Sequence, residues 1–450
     1  MIHKTRIEYL NSAAEKKGKF VVYWMQQSQR AIYNHALEFA IDAANERNLP
    51  LVVFFGLTAF PEANLRHYWF MLQGLKETCE DLHRRGIKLA IVQTDPDTGI
   101  VTFARDASLV VTDMGYLRIQ RQWRNTAASK LTCPLIQVET DVVVPIKVTS
   151  IKEEYTAGTL RPKLTKQLRE YIVPLQERTL KKKSISMKID SLDLSDLQKT
   201  VAGLSVDMTV APVDWLTGGT SSAEALLNEF IRSKLDFFAT LRNDPSKDYC
   251  SNMSPYLHFG QISPLYIALE ISRARSNGKD VFLEEMIVRR ELSMNFVWYN
   301  KDYDTFNSLP NWAQLTLNLH QKDKREPLYS VEELEKGKTY DPYWNAAQKE
   351  MVTRGKMHGY MRMYWGKKIL EWTADPKEAF KIALYLNNKY ELDGRDANSF
   401  TGIAWCFGKH DRAWKERPAF GKVRYMNDNG LERKFDIKGY VEKVEKYGES

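Results

Sequence analysis

The chain has 450 residues, 43% of them hydrophobic and 27% charged. That balance is that of an ordinary globular protein rather than a disordered or membrane chain, and the length exceeds what one hydrophobic core usually fills, so two domains are expected. The net charge of +8 favours a polyanionic partner without identifying one.

No apolar run approaches the roughly 20 residues of a bilayer span, and the first residues lack a signal-peptide core, which predicts a cytoplasmic protein that keeps clear of membranes. Cys79, Cys133, Cys250 and Cys406 are widely spaced, with no CxxC pair and no histidine at ligand spacing. Reduced structural thiols are expected, and no metal site.

From residue 20 to about residue 145, short β-branched or aromatic runs alternate with helical periods. Strands are predicted at 20–24, 51–56, 88–93, 109–112 and 135–138, and helices at 29–47, 65–85, 98–105 and 119–131. Five strands with helical crossovers make a doubly wound parallel sheet, an α/β domain over residues 1–147, with its ligand crevice at the carboxyl ends of the strands. Neither GxGxxG nor GxxxxGK[ST] follows a strand, which argues against a simple dehydrogenase or a P-loop nucleotidase.

Residues 148–214 have weak apolar periodicity and carry the run Lys181, Lys182, Lys183, as an interdomain connection does. Ser221 and Glu224 form a capping-box pattern before Ala225, Leu226 and Phe230. Residues 215–450 then read as an all-helical domain. Seven of the eleven tryptophans lie at or beyond Trp298, which suits a large aromatic core.

Three patterns in this domain carry chemistry. Ser251-Asn252-Met253-Ser254-Pro255-Tyr256-Leu257-His258-Phe259-Gly260-Gln261-Ile262-Ser263 sets two hydroxyls and an amide before a helix-starting proline, a grouping that serves an ordinary N-cap or a pyrophosphate. Trp365 and Trp372 fall on one helix face about 10 Å apart along its axis, as a buried stripe or an electron path requires. Between Trp405 and Arg424, six basic residues (Lys409, Arg412, Lys415, Arg417, Lys422, Arg424) outnumber Asp411 and Glu416 and alternate with Trp405, Trp414 and Phe420, as nucleic-acid contacts do.

The long string from Ser251 is similar to the flavin-binding signature of the photolyase and cryptochrome family. The resemblance runs over nearly the whole chain, from Val22-Tyr23-Trp24-Met25 through Thr159-Leu160-Arg161-Pro162-Lys163. Met357-His358-Gly359-Tyr360-Met361-Arg362-Met363-Tyr364-Trp365 and Tyr390-Glu391-Leu392-Asp393-Gly394-Arg395-Asp396 resemble the class II cyclobutane pyrimidine dimer photolyases. This resemblance implies an α/β antenna domain and a helical domain that binds FAD. It also implies light-driven electron transfer from the reduced flavin, splitting a pyrimidine dimer flipped out of UV-damaged DNA, double- or single-stranded.

By the same resemblance, Ser251, Asn252, Met253, Ser254, Arg362, Asp393, Gly394 and Asp396 bind FAD, Arg362 and Asp393 as an ion pair against the flavin ring and Asn387 facing its N5. Glu285 hydrogen-bonds the dimer, and Met363 and Trp405 line its pocket. Trp365, Trp344 and Trp372 form the electron path, Trp365 nearest the ring. Arg289, Arg290, Lys409, Arg412, Trp414, Lys422 and Arg424 meet DNA, with Arg412 and Trp414 entering the gap left by the flipped bases and Lys422 and Arg424 on phosphates.

One departure is plain: where other classes carry a tryptophan one turn after the glutamate, this chain reads Val288-Arg289-Arg290, so the pocket wall differs. Two alternatives belong to the same family. A cryptochrome-like photoreceptor is disfavoured by the basic loop and by the short stretch after Tyr440. A (6-4) photolyase would call for a histidine at the lesion, with His358 as the candidate. A deazaflavin or folate antenna would sit near Trp24, Met25 and Gln29, and a monomer, associated with the nucleoid through DNA, is expected.

Overall fold

Near-continuous apolar runs make the central strands, as a parallel sheet covered on both faces by helices requires. β2 (Phe20–Trp24), β3 (Leu51–Leu57) and β5 (Ala107–Asp113) are buried almost throughout. The computed structural model describes residues 2–448. With β1 at Ile7–Tyr9, β4 at Lys88–Gln93 and β6 at Leu135–Val138, the strand order is β1-β6-β5-β2-β3-β4. The five predicted strands run parallel. A sixth, β1, pairs antiparallel with β6 at the edge; three residues are too few for alternation to reveal. The chain winds one way from β2 to β4 and the other way through β5 and β6, so the topological switch point lies between β2 and β5.

Helices α1 (His35–Glu46), α2 (Leu65–Arg84), α3 (Pro96–Phe103) and α4 (Arg118–Lys130) cover the sheet. α1 starts six residues later than its periodicity predicts, because the preceding residues form a loop pinned at the switch point. The Asp113 carboxylate accepts the N–H groups of Gln26, Gln27 and Ser28 at 3.1, 3.1 and 2.9 Å, and Asn34 caps α1 through the Leu37 N–H.

The connecting segment folds back along the sheet domain. Ser184 donates its N–H to Gly86 and Leu192 to Ile91, while Leu65 donates to Asp207. Leu180, Leu194, Val201 and Leu204 join the core beneath α2. From Thr220 onward the regular structure is helical, and among the described residues no helix is long and apolar enough to cross a membrane. The Ser221–Glu224 capping box does not form. Gly219, at φ 132°, precedes the helix Thr220–Ser233, and Glu77 of α2 takes the Ser221 N–H at 2.8 Å.

Buried guanidinium groups join the two domains. Arg30 donates to the Gly260 carbonyl at 2.9 Å, and Arg290 donates to the carbonyl and carboxylate of Asp141 at 2.8 and 3.1 Å. Glu291 is buried in the same junction and accepts the N–H of Val143. Burial, opposed by that bond and by Arg290, pushes its carboxyl up from 4.5 to about 8. The native state thus keeps a proton that the unfolded chain releases, and stability falls as pH climbs from about 4.5 towards 8. Urea-unfolding midpoints measured between about pH 5 and pH 8 should drop in the parent and drop less in Glu291→Gln.

Candidate functional site

The string beginning at Ser251 opens onto a cavity of about 370 Å³. Its walls come from α5 (Ser254–His258), α6 (Pro342–Arg354), α7 (Gly359–Trp372), the turn after α8 (Pro376–Tyr390) and the start of α9 (Ala397–Cys406). Ser251, Asn252, Met253 and Ser254 all line it. Asn252 adopts φ 56°, a left-handed conformation that asparagine tolerates better than most residues. Lys356 donates to Ser254 Oγ at 3.1 Å, and Lys247, Arg354 and Lys443 add positive charge to the lining.

Arg362 of α7 reaches Asp393 at 3.6 Å, the predicted pair, but Glu391 is closer at 2.9 Å. Burial pushes the Glu391 carboxyl up to about 8 even with Arg362 beside it. Burial raises Asp393 too, but there Arg362 and Lys356 prevail and hold it below the usual carboxylate range. Between these acids and α9 the turn is tight: a Cβ on Gly394 would come within 2.9 Å of the Asn387 and Glu391 carbonyls, so only glycine fits. Asp396 caps α9, accepting the Asn398 N–H and Nδ2 at 3.3 and 3.1 Å. Its burial is outweighed by His258, and its pKa falls to about 2.

Asn387 stands behind this turn and is absent from the cavity lining, whereas Asn398 is part of it. The Asn387 Nδ2 donates to Ser399 Oγ, which leaves its buried Oδ1 without a hydrogen-bond partner among the described residues. Arg362 Nε, Asp393 Oδ1 and Glu391 Oε2 share that condition. Unpartnered buried polar atoms are rare in folded proteins, and their gathering around one turn fits a polar, hydrogen-bonding ligand.

The three tryptophans are buried together. Trp344 of α6 stacks on Trp365 at 6.3 Å and 7°, and meets Trp372 edge-on at 5.6 Å. Trp344 therefore bridges the two tryptophans of α7. Trp365 Nε1 donates to Gln348 at 2.8 Å and Trp344 Nε1 to the Trp365 carbonyl at 3.0 Å, so both rings are held in place. Arg362 lies one turn before Trp365, which sets the stack beside the cavity.

Glu285 lines the cavity and pairs with Arg242 at 2.9 Å. It sits in a π-helical turn, Glu284–Arg289, that runs on into the helix Arg290–Tyr299. Arg289 holds its guanidinium 5.6 Å from the Trp405 ring centroid. Glu284, 3.4 Å from Arg289, is gripped by Arg161 at 3.0 and 2.6 Å. Met363 faces a second hollow of about 520 Å³, together with Tyr360, Trp414, Arg417 and Arg424.

In the basic loop, Arg412, Trp414, Lys422 and Arg424 are exposed. The guanidinium groups of Arg412 and Arg424 both stand over the Trp414 ring, at 5.1 and 4.5 Å. Two of the predicted DNA-contact residues are buried. Lys409 is buried, bound to Glu153 and to the Ser308 carbonyl, and Arg290 is buried on Asp141. Each has an internal acceptor, and Arg290 also lines the cavity at Ser251–Ser254. Phe420 is core as well, 1% exposed.

A separate crevice of about 110 Å³ lies at the switch point, lined by Gln26, Gln27, Gln29, Tyr68 and Trp123 among others. Gln29 lies where expected; Trp24 and Met25 are buried in the sheet instead. Asp396 lines both this crevice and the larger cavity. Glu391, Lys356 and Asn398 are site residues that sequence reasoning missed. Glu391 was within the quoted motif, and its acidity beside Asp393 was the available signal.

A DNA photolyase family model matches residues 21–181. A deoxyribodipyrimidine photo-lyase of Methanothermobacter thermautotrophicus is 54% identical over 449 residues, spanning 99% of both chains. The chain belongs to the photolyase/cryptochrome family. Deoxyribodipyrimidine photo-lyases of Potorous tridactylus and Arabidopsis thaliana are 42% and 43% identical, across 96% and 94% of this chain and 82% and 88% of theirs. The family fold is evident in solved structures too. A class III photolyase from Agrobacterium tumefaciens, 19% identical, has a TM-score of 0.71 over 96% of this chain and 88% of its own. A Synechocystis cryptochrome, 14% identical, has a TM-score of 0.72 over 95% and 89%.

The two kinds of basic residue should separate in urea unfolding. Lys409→Met, which strands Glu153, should lower the unfolding free energy by about 2 kcal/mol. Arg412→Met, at the exposed loop, should change it by less than about 0.5 kcal/mol.

Proposed function

We propose that the chain is a class II-like deoxyribodipyrimidine photo-lyase that binds FAD in the cavity lined by Ser251–Ser254, Arg362 and Asp393 and splits cyclobutane pyrimidine dimers in DNA. The observation that carries this reading is the gathering of unpartnered polar atoms around the Glu391–Asp396 turn, beside the Trp365–Trp344–Trp372 stack. The similarity to photo-lyases over the full chain supports it. When bound and reduced, FAD supplies one electron under light to open the cyclobutane ring, and recovers it afterwards.

The chain's own residues bind and orient. Ser254 and Lys356, with the lysines and arginine nearby, suit the pyrophosphate. Arg362, held by Glu391 and Asp393, would lie against the ring, and Asn387, behind the turn with its Oδ1 unpartnered, would be the residue facing N5 if the bound ring reached past the turn. Trp372, Trp344 and Trp365 relay electrons inward. Glu285, at the cavity with Arg242, hydrogen-bonds a flipped base, while Trp405 and Met363 give it an apolar wall. Arg412, Trp414, Lys422 and Arg424 hold the strand from which the base has left, largely through phosphates and stacking. The switch-point crevice, with its glutamines and aromatic rings, is the seat of a deazaflavin or folate antenna.

The histidines argue against (6-4) chemistry. Burial holds His358 down to about 4, and its Nδ1 accepts the Tyr360 N–H at 3.2 Å. A neutral, capping imidazole does not donate a proton to a lesion at neutral pH.

The deciding experiment exposes purified, FAD-loaded protein to blue light with reductant and UV-irradiated oligo(dT), following recovery of thymine absorbance. Light-dependent recovery establishes repair. Bound flavin without recovery rejects repair in favour of a photoreceptor, and failure to bind flavin overturns the assignment. Trp365→Phe should abolish light-driven reduction of bound flavin yet leave repair by chemically reduced protein intact, as absorbance under illumination will show. Arg412→Ala and Arg424→Ala should each weaken binding to dimer-containing duplex by about 1 kcal/mol, and reduce the salt-dependence slope by about one, whatever the flanking sequence.

A further inference from the structure

Tyr364 precedes Trp365 on α7 and is buried, yet its phenol has a charged partner: Oη donates to Asp341 Oδ2. The other Asp341 oxygen accepts the N–H groups of Tyr343 and Trp344 at 3.0 and 3.1 Å. One carboxylate, 2% exposed, thus links a buried phenol to the backbone of the middle tryptophan. That carboxylate stands at the N-terminus of α6 and caps it through these two backbone donors.

A cation completes the cluster. The Lys368 ammonium lies 5.3 Å from the Trp372 ring centroid and 5.7 Å from that of Tyr364, with Glu371 as its counter-ion at 2.8 Å. A positive hole on Trp372 is repelled by this ammonium in a medium of low dielectric. A tyrosine that loses its electron and proton together becomes a neutral radical and escapes that repulsion. Of the tyrosines around the stack, Tyr329 and Tyr340 pack edge-on against Trp372, at 5.2 and 5.6 Å. Neither has a carboxylate partner among the described residues, and the only side-chain bond recorded for the Tyr329 hydroxyl is from the Tyr340 N–H.

We propose that Tyr364 is a proton-coupled redox residue, giving one electron to the oxidised Trp344–Trp372 pair and its phenolic proton to Asp341. The oxidant is the tryptophan radical cation left when light draws an electron from Trp365. It is reduced to neutral tryptophan, Tyr364 becomes a neutral phenoxyl radical, and Asp341 becomes a carboxylic acid, so electrons, protons and charge balance. The inference rests on the electron path of the proposed function. Its effect is to carry the hole onto a site that must regain a proton before it can be refilled from the flavin side, which lengthens the life of the separated charge.

The test is flash excitation of the FAD-loaded full chain without external reductant, in H2O and D2O, read by transient absorption and electron paramagnetic resonance. The parent should show a tyrosyl signal growing as the tryptophan radical decays, more slowly in D2O. Tyr364→Phe should keep the early tryptophan signal, which also reports an intact stack, and lose the tyrosyl. Asp341→Asn keeps an acceptor for the phenol and for the helix cap but is a far weaker base, so tyrosyl formation should slow on the order of a hundredfold. Tyr329→Phe and Tyr340→Phe should leave the signal in place. A tyrosyl that persists in Tyr364→Phe, or vanishes in either Tyr329→Phe or Tyr340→Phe, overturns the inference. A tryptophan radical without any tyrosyl overturns it alone, whereas no tryptophan radical in the parent overturns the electron path as well.

Discussion

Arg66, a residue of the sheet domain, terminates two helices of the other domain. Its guanidinium donates to the carbonyls of Met351 and Val352 at the end of α6, at 3.3 and 2.6 Å, and to Tyr390 at the end of α8, at 2.8 Å. Helix C-termini leave carbonyls without intrahelical donors, and a cation there satisfies both the hydrogen bonds and the dipole. Burial lowers the Arg66 pKa only to about 10, so the charge is present at neutral pH. Beyond the first helix end lie Lys356 and Met357; beyond the second lie Glu391 and Asp393. The charged lining of the cavity therefore takes its position from α2. His67, the next residue, reinforces this by donating from Nε2 to the Glu391 carbonyl at 3.0 Å while Nδ1 accepts the Asn64 N–H, its imidazole kept neutral by burial.

Around Arg362 the charges are graded. Asp393 stays ionised, whereas Glu391, wholly buried, holds its proton to about 8. Two carboxyl groups sharing one guanidinium thus settle into different protonation states, as like charges at close range in low dielectric do. The arrangement sets one ionised carboxylate and one buried carboxyl pushed up to about 8 beside the same guanidinium.

The parts of this molecule visible in its sequence are those that repeat. β2, β3 and β5 announce themselves by unbroken apolar runs, and α2 and α4 by period; the predicted bounds of β2, β4 and β6 match the structure. What escaped is set by partners distant in the chain. The start of α1 depends on Asp113, and the start of the helix at Thr220 depends on Glu77, neither of which a local capping rule can see. The resemblance put Lys409 and Arg290 at the DNA surface, yet each is buried against an acid more than a hundred residues away, Glu153 and Asp141. In the candidate site Ser251 to Ser254, Arg362 and Asp393, singled out by the motif strings, all line the cavity. They did not reveal that Glu391 is the nearer acid, because that choice turns on a side-chain direction rather than a spacing.

The loop that carries Trp414 has two long side chains laid against one indole, Arg412 and Arg424, and Arg424 is further tied to Asp411 at 3.2 Å. Free arginines on a surface sample many rotamers and surrender about 0.5 to 1.5 kcal/mol each when a partner immobilises them. Here much of that freedom is already gone before any encounter. A polyanion meeting this surface finds its donors arrayed on a flat aromatic plate, and little ordering remains to be done on contact. Selectivity at such a place comes from the shape that the plate can enter, while attraction comes from charges that need not search for their positions.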